Sequence, residues 1–282
     1  MLKNTFCHIP LISLKTESHL WGMGASSWED VKPEVLSAFT WKKRENMNRY
    51  LEESAVHLAA SNPMFFVDLL PTNQHWRLFP EFRTTTAFLD IETTGLSLYD
   101  DLITTAALYD GKRLRTYVDG RNLSQLREDI GAYNLIVTYN GKRFDVPFLE
   151  QYFSIHIEAA HIDLRYVLSS LGVSGGLKRC ERRMGIKRQG VRAVDGFTAV
   201  LLWNEYRESH SSKALESLLA YNSMDAINLE TLMVKAYNRK IKETPFVKTH
   251  KIPVPTIPTI PFKVDHKIIR RMKEEYSYVN PW

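Results

Sequence analysis

Cysteine is scarce: Cys7 and Cys180 are the only two in 282 residues. Two thiols cannot build a disulfide framework or a four-thiolate zinc site, and a reducing, cytoplasmic setting is the expectation. No histidine spacing makes a zinc motif. No run of 18 apolar residues occurs, which excludes a transmembrane helix. The opening stretch, MLKNTFCHIPLISLKTES, is too broken by polar side chains to read as a signal peptide. There is no internal repeat. Disorder is also excluded, because 44% hydrophobic and 24% charged residues describe a globular chain. A chain of this length can bury a sizeable core.

Charge is modest overall, +5, but uneven. From Lys235 to Trp282 eleven Lys/Arg face four Asp/Glu, so the other 234 residues are close to neutral. A second basic run, Lys178 to Arg192, has seven Lys/Arg against Glu181 alone. Basic patches on a near-neutral body suit a polyanionic partner; each run taken alone also fits a solvated surface.

Three regions differ in composition. Residues 1–82 are rich in Trp and helical in pattern. Residues 83–240 alternate strand-like and helix-like stretches. Residues 241–282 form a basic, proline-rich tail, in which Pro253, Pro255, Pro258 and Pro261 impose an extended chain. In the middle region Thr85–Ile91 reads as a buried strand. Ile103–Tyr109 and Leu114–Val118 read as a hairpin around Asp110-Gly111. Ser124–Tyr133 reads as a helix, Asn134–Tyr139 as a strand and Val146–Phe153 as a helix. His161–Leu164 fits a short fifth strand, and helical patterns follow to Asn238. The fold class is α/β: a mixed sheet flanked by helices, with a small helical N-terminal region and an extended C-terminal tail.

Three segments bring carboxylates forward. Asp90 and Glu92 sit at i and i+2 of an apolar strand, so both project to one face. Two acids so placed repel unless a cation joins them. Asn140-Gly141-Lys142-Arg143-Phe144-Asp145 follows the strand NLIVTY, and Asp145 stands at a helix start, where Asp also serves as a cap. Tyr221 and Asp225 are four apart and share a helix face. Taken singly, each segment has an ordinary structural explanation.

In order and spacing the three resemble the motifs of the DnaQ-like exonucleases of the ribonuclease H-like fold. DIETTGL matches the first motif, N-x-x-x-F-D the second, and Y-x-x-x-D the third, in the tyrosine (DEDDy) form. Further segments are similar to one narrower group, the YprB-type exonucleases. These are Trp76 to Phe82 (WRLFPEF), His161 to Leu164 (HIDL), Gly176-Leu177-Lys178 with Glu181, and Leu202-Trp203. The resemblance spans about residues 76–238. It implies a metal-dependent 3′→5′ exonuclease acting on single-stranded DNA or RNA ends with two divalent cations, Mg²⁺ or Mn²⁺. Such cations, about 4 Å apart, serve the attacking and leaving oxygens together. It implies that Asp90, Glu92, Asp145 and Asp225 are metal ligands and that Tyr221 orients the nucleophilic water. A phenol near pKa 10 is too weak a base at neutral pH, so positioning is its part. Thr93, Thr94, Gly95 and Leu96 are then expected to border the terminal nucleotide, with Asn140 and Phe144 as further substrate contacts.

Other residues have quieter readings. Asp163 is either a carboxylate behind the site or a helix N-cap, and the cap is favoured. His161 reads as packed or capping. Cys180 lies beside Arg179 and Arg182 without a partner base. Thr16–Trp21, Gly22-Met23-Gly24 and Ser27-Trp28 are similar to a degenerate helix–hairpin–helix. Its hairpin, Pro10-Leu11-Ile12-Ser13, lacks the glycine that lets backbone amides approach a phosphate, which favours a structural role. The run Leu177–Arg192 is expected at the site entrance, tracking a single strand. Tyr276, Tyr278 and Trp282 are expected either to stack on bases or to dock on the body. The alternatives to an exonuclease are a structure-specific endonuclease and a non-catalytic nucleic-acid-binding module.

Overall fold

The structure is a computed structural model that describes residues 1–188 and 194–279, with side chains as far as Tyr276. Arg192 and Trp282 lie outside the described residues, as does the side chain of Tyr278.

Five strands form one mixed sheet in the order β3-β2-β1-β4-β5. They are β1 (Thr86–Thr93), β2 (Ile103–Tyr109), β3 (Leu114–Val118), β4 (Leu135–Thr138) and β5 (Ala160–Asp163). The first three are antiparallel, whereas β4 and β5 run parallel to β1. The Asp110-Gly111 turn joins β2 to β3, and Gly111 takes the left-handed φ of 85° that such a turn requires. β1 is central, paired on both sides, and runs two residues beyond the expected Ile91. Asp90 and Glu92 therefore lie within the strand.

Twelve α-helices surround the sheet among the described residues. Before it come α1 (Leu14–Gly22), α2 (Pro33–Ser37), α3 (Trp41–Ala59), α4 (Met64–Leu69) and α5 (Phe79–Phe82). Then follow α6 (Leu126–Ile130), α7 (Asp145–Phe153), α8 (Leu164–Ser169), α9 (Leu177–Arg183), α10 (Gly196–Ser209), α11 (Ser212–Lys240) and α12 (His266–Val279). The helix expected over Ser124–Tyr133 is shorter, a 3₁₀ turn at Leu123–Gln125 leading into α6.

Strand alternation sorts the core into two layers. Ala87, Leu89 and Ile91 of β1 pack with Leu126, Ile130, Phe148 and Leu149 of α6 and α7. Phe88 points the other way, toward Ala226, Leu229 and Met233 of α11. Helix α11 has 29 residues, about 43 Å at 1.5 Å per residue. It is buried nearly all round, because the sheet covers one side and other chain segments cover the rest.

Part of that cover is the proline-rich tail. It runs back along α11: Asn238 exchanges hydrogen bonds with the Ile252 backbone at 2.7 and 2.9 Å. Ile260, Phe262 and Val264 then pack on Ala220 and Met224. The extended chain ends at α12, a helix that the proline pattern does not announce. Its Ile269 and Met272 are buried against α10 and α11, and Tyr276 meets Phe197 edge-on at 4.7 Å between centroids.

The N-terminal region is tied in by a buried ion pair. Arg77 donates to both carboxylate oxygens of Glu17 at 2.8 Å, and Glu17 also accepts from the Phe6 and Cys7 amides. The loop Pro10–Ser13 turns at Leu11, which takes a left-handed φ of 73° and stays exposed. Cys7 and Cys180 are buried free thiols. Among the described residues no helix is long and apolar enough to cross a membrane.

Candidate active site

Asp90 and Glu92 share the face of Phe88, so both carboxylates look toward α11. A β-bulge follows at Glu92/Thr93 and re-aims the end of the strand, a device common beside active sites. From α11, Asp225 meets them. One oxygen from each of Asp90, Glu92 and Asp225 falls within 4.8 Å of the others. Asp90 and Glu92 are half-buried and Asp225 is buried, so the group opens to solvent on the strand side. The three come from segments about 135 residues apart.

Asp145 approaches from the opposite layer as the first residue of α7. Its Oδ1 accepts the Ile91 amide at 3.2 Å, which docks it on β1 between the two acids, outside the close group of three. Tyr221 stands one turn before Asp225 and is buried. The ammonium of Lys178 lies 4.4 Å from the centre of its ring and the Arg188 guanidinium 5.5 Å.

The electrostatics follow from this crowding. Burial, and then the charges of Asp225, Glu92 and Asp145, push the Asp90 carboxyl well above its ordinary range. Burial and Asp225 do the same to Glu92. Asp145 is pushed up to about 7, chiefly by burial. Burial also raises the Tyr221 phenol, with Asp225, Glu92 and Asp90 adding to it. Clustered carboxylates that resist ionisation together are relieved by a divalent cation with oxygen ligands. The donor set therefore fits Mg²⁺ or Mn²⁺, and Asp90, Glu92 and Asp225 can hold one.

The remaining expected contacts divide. Leu96 is 84% exposed beside the strand end, free to meet a ligand. Thr93 and Thr94 are engaged locally: the Thr93 hydroxyl donates to the Gly95 carbonyl, and Thr94 Oγ1 donates to Asp101 at 2.8 Å. Gly95 is close against Asp101, and a Cβ there would meet its carboxylate at 2.4 Å. A larger residue there would have to displace the Asp101 side chain. Asn140 takes a left-handed φ of 68°, which Asn tolerates, and its side chain accepts from Arg165. Phe144 packs on Phe148 at 5.5 Å in the layer away from Asp90.

Asp163 is the N-cap of α8, accepting the Arg165 amide at 2.9 Å. It does more than cap: it also accepts the Asn140 and Lys142 amides at 2.8 and 3.2 Å, and so fixes the turn that leads to Asp145. His161 bonds Thr138 Oγ1 at 2.8 Å.

Sequence reasoning missed one polar residue at the site and misplaced one pair. Asn222 Nδ2 reaches Asp90 at 2.7 Å; its position beside Tyr221 was the available signal. Arg188 pairs with Asp225 and Glu181. Arg188 and Lys178, expected at the entrance on a strand-tracking surface, turn inward instead. Lys178 donates to the Val194 carbonyl, and burial lowers its pKa.

With the sheet order and this acidic group in view, the class of the protein follows. The family model RNase_H_2, described as RNase_H superfamily, matches residues 87–237, more than half of the chain. The chain belongs to the RNase H superfamily, and membership points to a nuclease acting on nucleic acid. Comparison with curated proteins returns no match. Among solved structures the chain is similar to the family B DNA polymerase of the hyperthermophilic archaeon Pyrobaculum calidifontis, at 16% identity and TM-score 0.43. That alignment covers 56% of this chain and 24% of the polymerase, so this chain spans about a quarter of the polymerase's length. It is also similar to Brucella melitensis NrnC, solved by itself and bound to pGG, at 15% identity and TM-score 0.40 over 72% of this chain and 89% of NrnC.

Proposed function

We propose that this protein is a YprB-type, DEDDy 3′→5′ exonuclease that hydrolyses single-stranded DNA or RNA from its ends with two divalent cations. One observation carries the reading: Asp225, far along the chain from Asp90 and Glu92, gathers with them so that one oxygen of each lies within 4.8 Å of the others. Carboxylates gathered this closely repel one another, and a divalent cation among them relieves that repulsion.

Divalent cations bound there supply Lewis-acid activation of water and stabilisation of the leaving oxygen. The chain's own residues do the rest. Asp90, Glu92 and Asp225 hold the cation charge, with Asp145 supporting from across β1. Tyr221 stays protonated, so its phenol donates a hydrogen bond and orients the nucleophile. Leu96, exposed at the strand end, is placed to contact a terminal base; Thr93, Thr94, Gly95, Asn140 and Phe144 shape the loops around it. Residues 83–240 are the proposed catalytic unit, with the N-terminal region and the described part of the tail packed on it. A cytoplasmic setting is part of the proposal and would keep the two buried thiols reduced.

The test is incubation of the purified chain with oligonucleotides labelled at the 5′ or 3′ end and Mn²⁺, beside Asp90→Ala. A 5′-labelled strand shortened in single-nucleotide steps, lost in Asp90→Ala, is the expected result. Internal cuts would favour a structure-specific endonuclease, and binding without cleavage a non-catalytic module. Cleavage that survives Asp90→Ala overturns the assignment of the site.

A further inference from the structure

The acidic group does not end at Asp225. Arg188 Nη2 donates to Asp225 Oδ1, and its Nη1 donates to Glu181 Oε2 at 2.8 Å. Glu181 is fully buried, and its second oxygen accepts from Asn228 Nδ2 at 2.8 Å. The row Asn228–Glu181–Arg188–Asp225 thus leaves α11, crosses α9 and returns to α11 one turn earlier. Arg188 itself is 7% exposed, and its Nε, buried, meets no partner among the described residues.

We infer that Arg188 is a built-in counter-ion of the cation site: it shares Asp225 with the divalent cation, keeps the cation-free site folded and lowers its affinity for metal. This rests on reading the acidic group as a divalent-cation site. Five carboxylates (Asp90, Glu92, Asp145, Glu181 and Asp225) meet here with two cations, Lys178 and Arg188. Without metal, the guanidinium is the charge that reaches Asp225 directly. Arginine suits the task because it stays protonated even when buried, whereas burial works against the Lys178 charge. When a divalent ion binds, a fixed positive charge a few ångströms away opposes it. The same contact that stabilises the empty site therefore competes with the filled one.

A pure positioning role for Arg188 makes the opposite forecast, since losing it would misplace Asp225 and weaken metal binding. The experiment is titration of the EDTA-treated full chain with Mn²⁺ alone, by calorimetry and by thermal melting. Arg188→Gln is expected to bind Mn²⁺ about tenfold more tightly than wild type. It should also melt lower without metal and gain more from adding it. Arg188→Lys, which keeps the charge, is expected to stay within about threefold of wild type. Because Arg188→Gln strands the Glu181 carboxylate, the double variant Glu181→Gln/Arg188→Gln is titrated beside it and is expected to tighten similarly. Unchanged or weaker Mn²⁺ affinity in both neutralised proteins overturns the inference. Asp90→Asn separates the two levels. If wild type binds no Mn²⁺, or binds it equally after Asp90→Asn, the metal reading fails and takes Arg188's role with it. If Asp90→Asn removes binding while Arg188→Gln leaves affinity unmoved, the Arg188 inference alone fails.

Discussion

Asn222 holds Asp90 twice, its Nδ2 donating to the carboxylate Oδ2 at 2.7 Å and to the main-chain carbonyl at 3.0 Å. One amide thereby couples the long helix to the central strand at the residue expected to bind metal. Asn222→Ala should cost about 1–2 kcal/mol in stability. It should lower metal-dependent cleavage by about 10- to 100-fold, as loss of a group that orients a ligand does. Urea melts and cleavage assays on the same preparation check this; a rate that falls only with the folded fraction would reduce Asn222 to a structural tie.

Tyr221 should behave as a protonated hydrogen-bond donor. Burial and the neighbouring Asp225 raise its phenol far from the neutral range. Tyr221→Phe is expected to slow cleavage about 10-fold, against near-complete loss for Asp225→Ala. The shape of the rate profile from pH 6 to 9 should not change. A limb of that profile that disappears in Tyr221→Phe would mean the phenol titrates during turnover.

The tail should stabilise α11 from behind. Ile260 and Phe262 cover Ala220 and Met224, directly before and within the Tyr221–Asp225 turn. Ile260→Ala with Phe262→Ala should remove about 3 kcal/mol, because both side chains are only partly buried, and lower the melting midpoint by several degrees, about 5 °C. Calorimetry reads the midpoint. No shift would show that the strap lies on α11 without supporting it.

Acid should loosen the N-terminal region through His8. This ring is 1% exposed, bonded to Ser54 at 2.8 Å. Burial, and then the charge of Arg77, lower its pKa from 6.5 to about 3. Between those values the unfolded chain binds a proton that the native state refuses. The stabilisation is therefore complete above pH 6.5 and declines as pH falls, by up to about 1.4 kcal/mol per unit. Denaturant melts of wild type and His8→Gln at pH 7, 6 and 5 should converge as the pH drops; parallel lines would rule the ring out as the source.

The sheet was readable because each strand carries a local signal: the apolar TTAFLDI run, the Asp-Gly turn and NLIVTY. The convergence of Asp90, Glu92 and Asp225 was readable for a related reason. A period of two along a strand and four along a helix assign each acid to a face, and the ordered motifs link the faces. What escaped depends on distance in sequence. Nothing local says that Arg188 turns inward, since its partners Glu181 and Asp225 lie 7 and 37 residues away. Read along the chain, the run Lys178–Arg188 is simply basic. The helix His266–Val279 was hidden by its charge and by the prolines before it. Only contact with α10 and α11 gives Ile269 and Met272 a face to bury.

Asp163 belongs to β5, the strand farthest out on its side of the sheet, yet it anchors the turn carrying Asn140 and leading to Asp145. The rim of the sheet thus has a vote in the geometry at its centre. With β1 to β4 in place and β5 still loose, the turn leading to Asp145 would lack the carboxylate that accepts its two amides. The placement of Asp145 is thereby tied to the docking of the outermost strand.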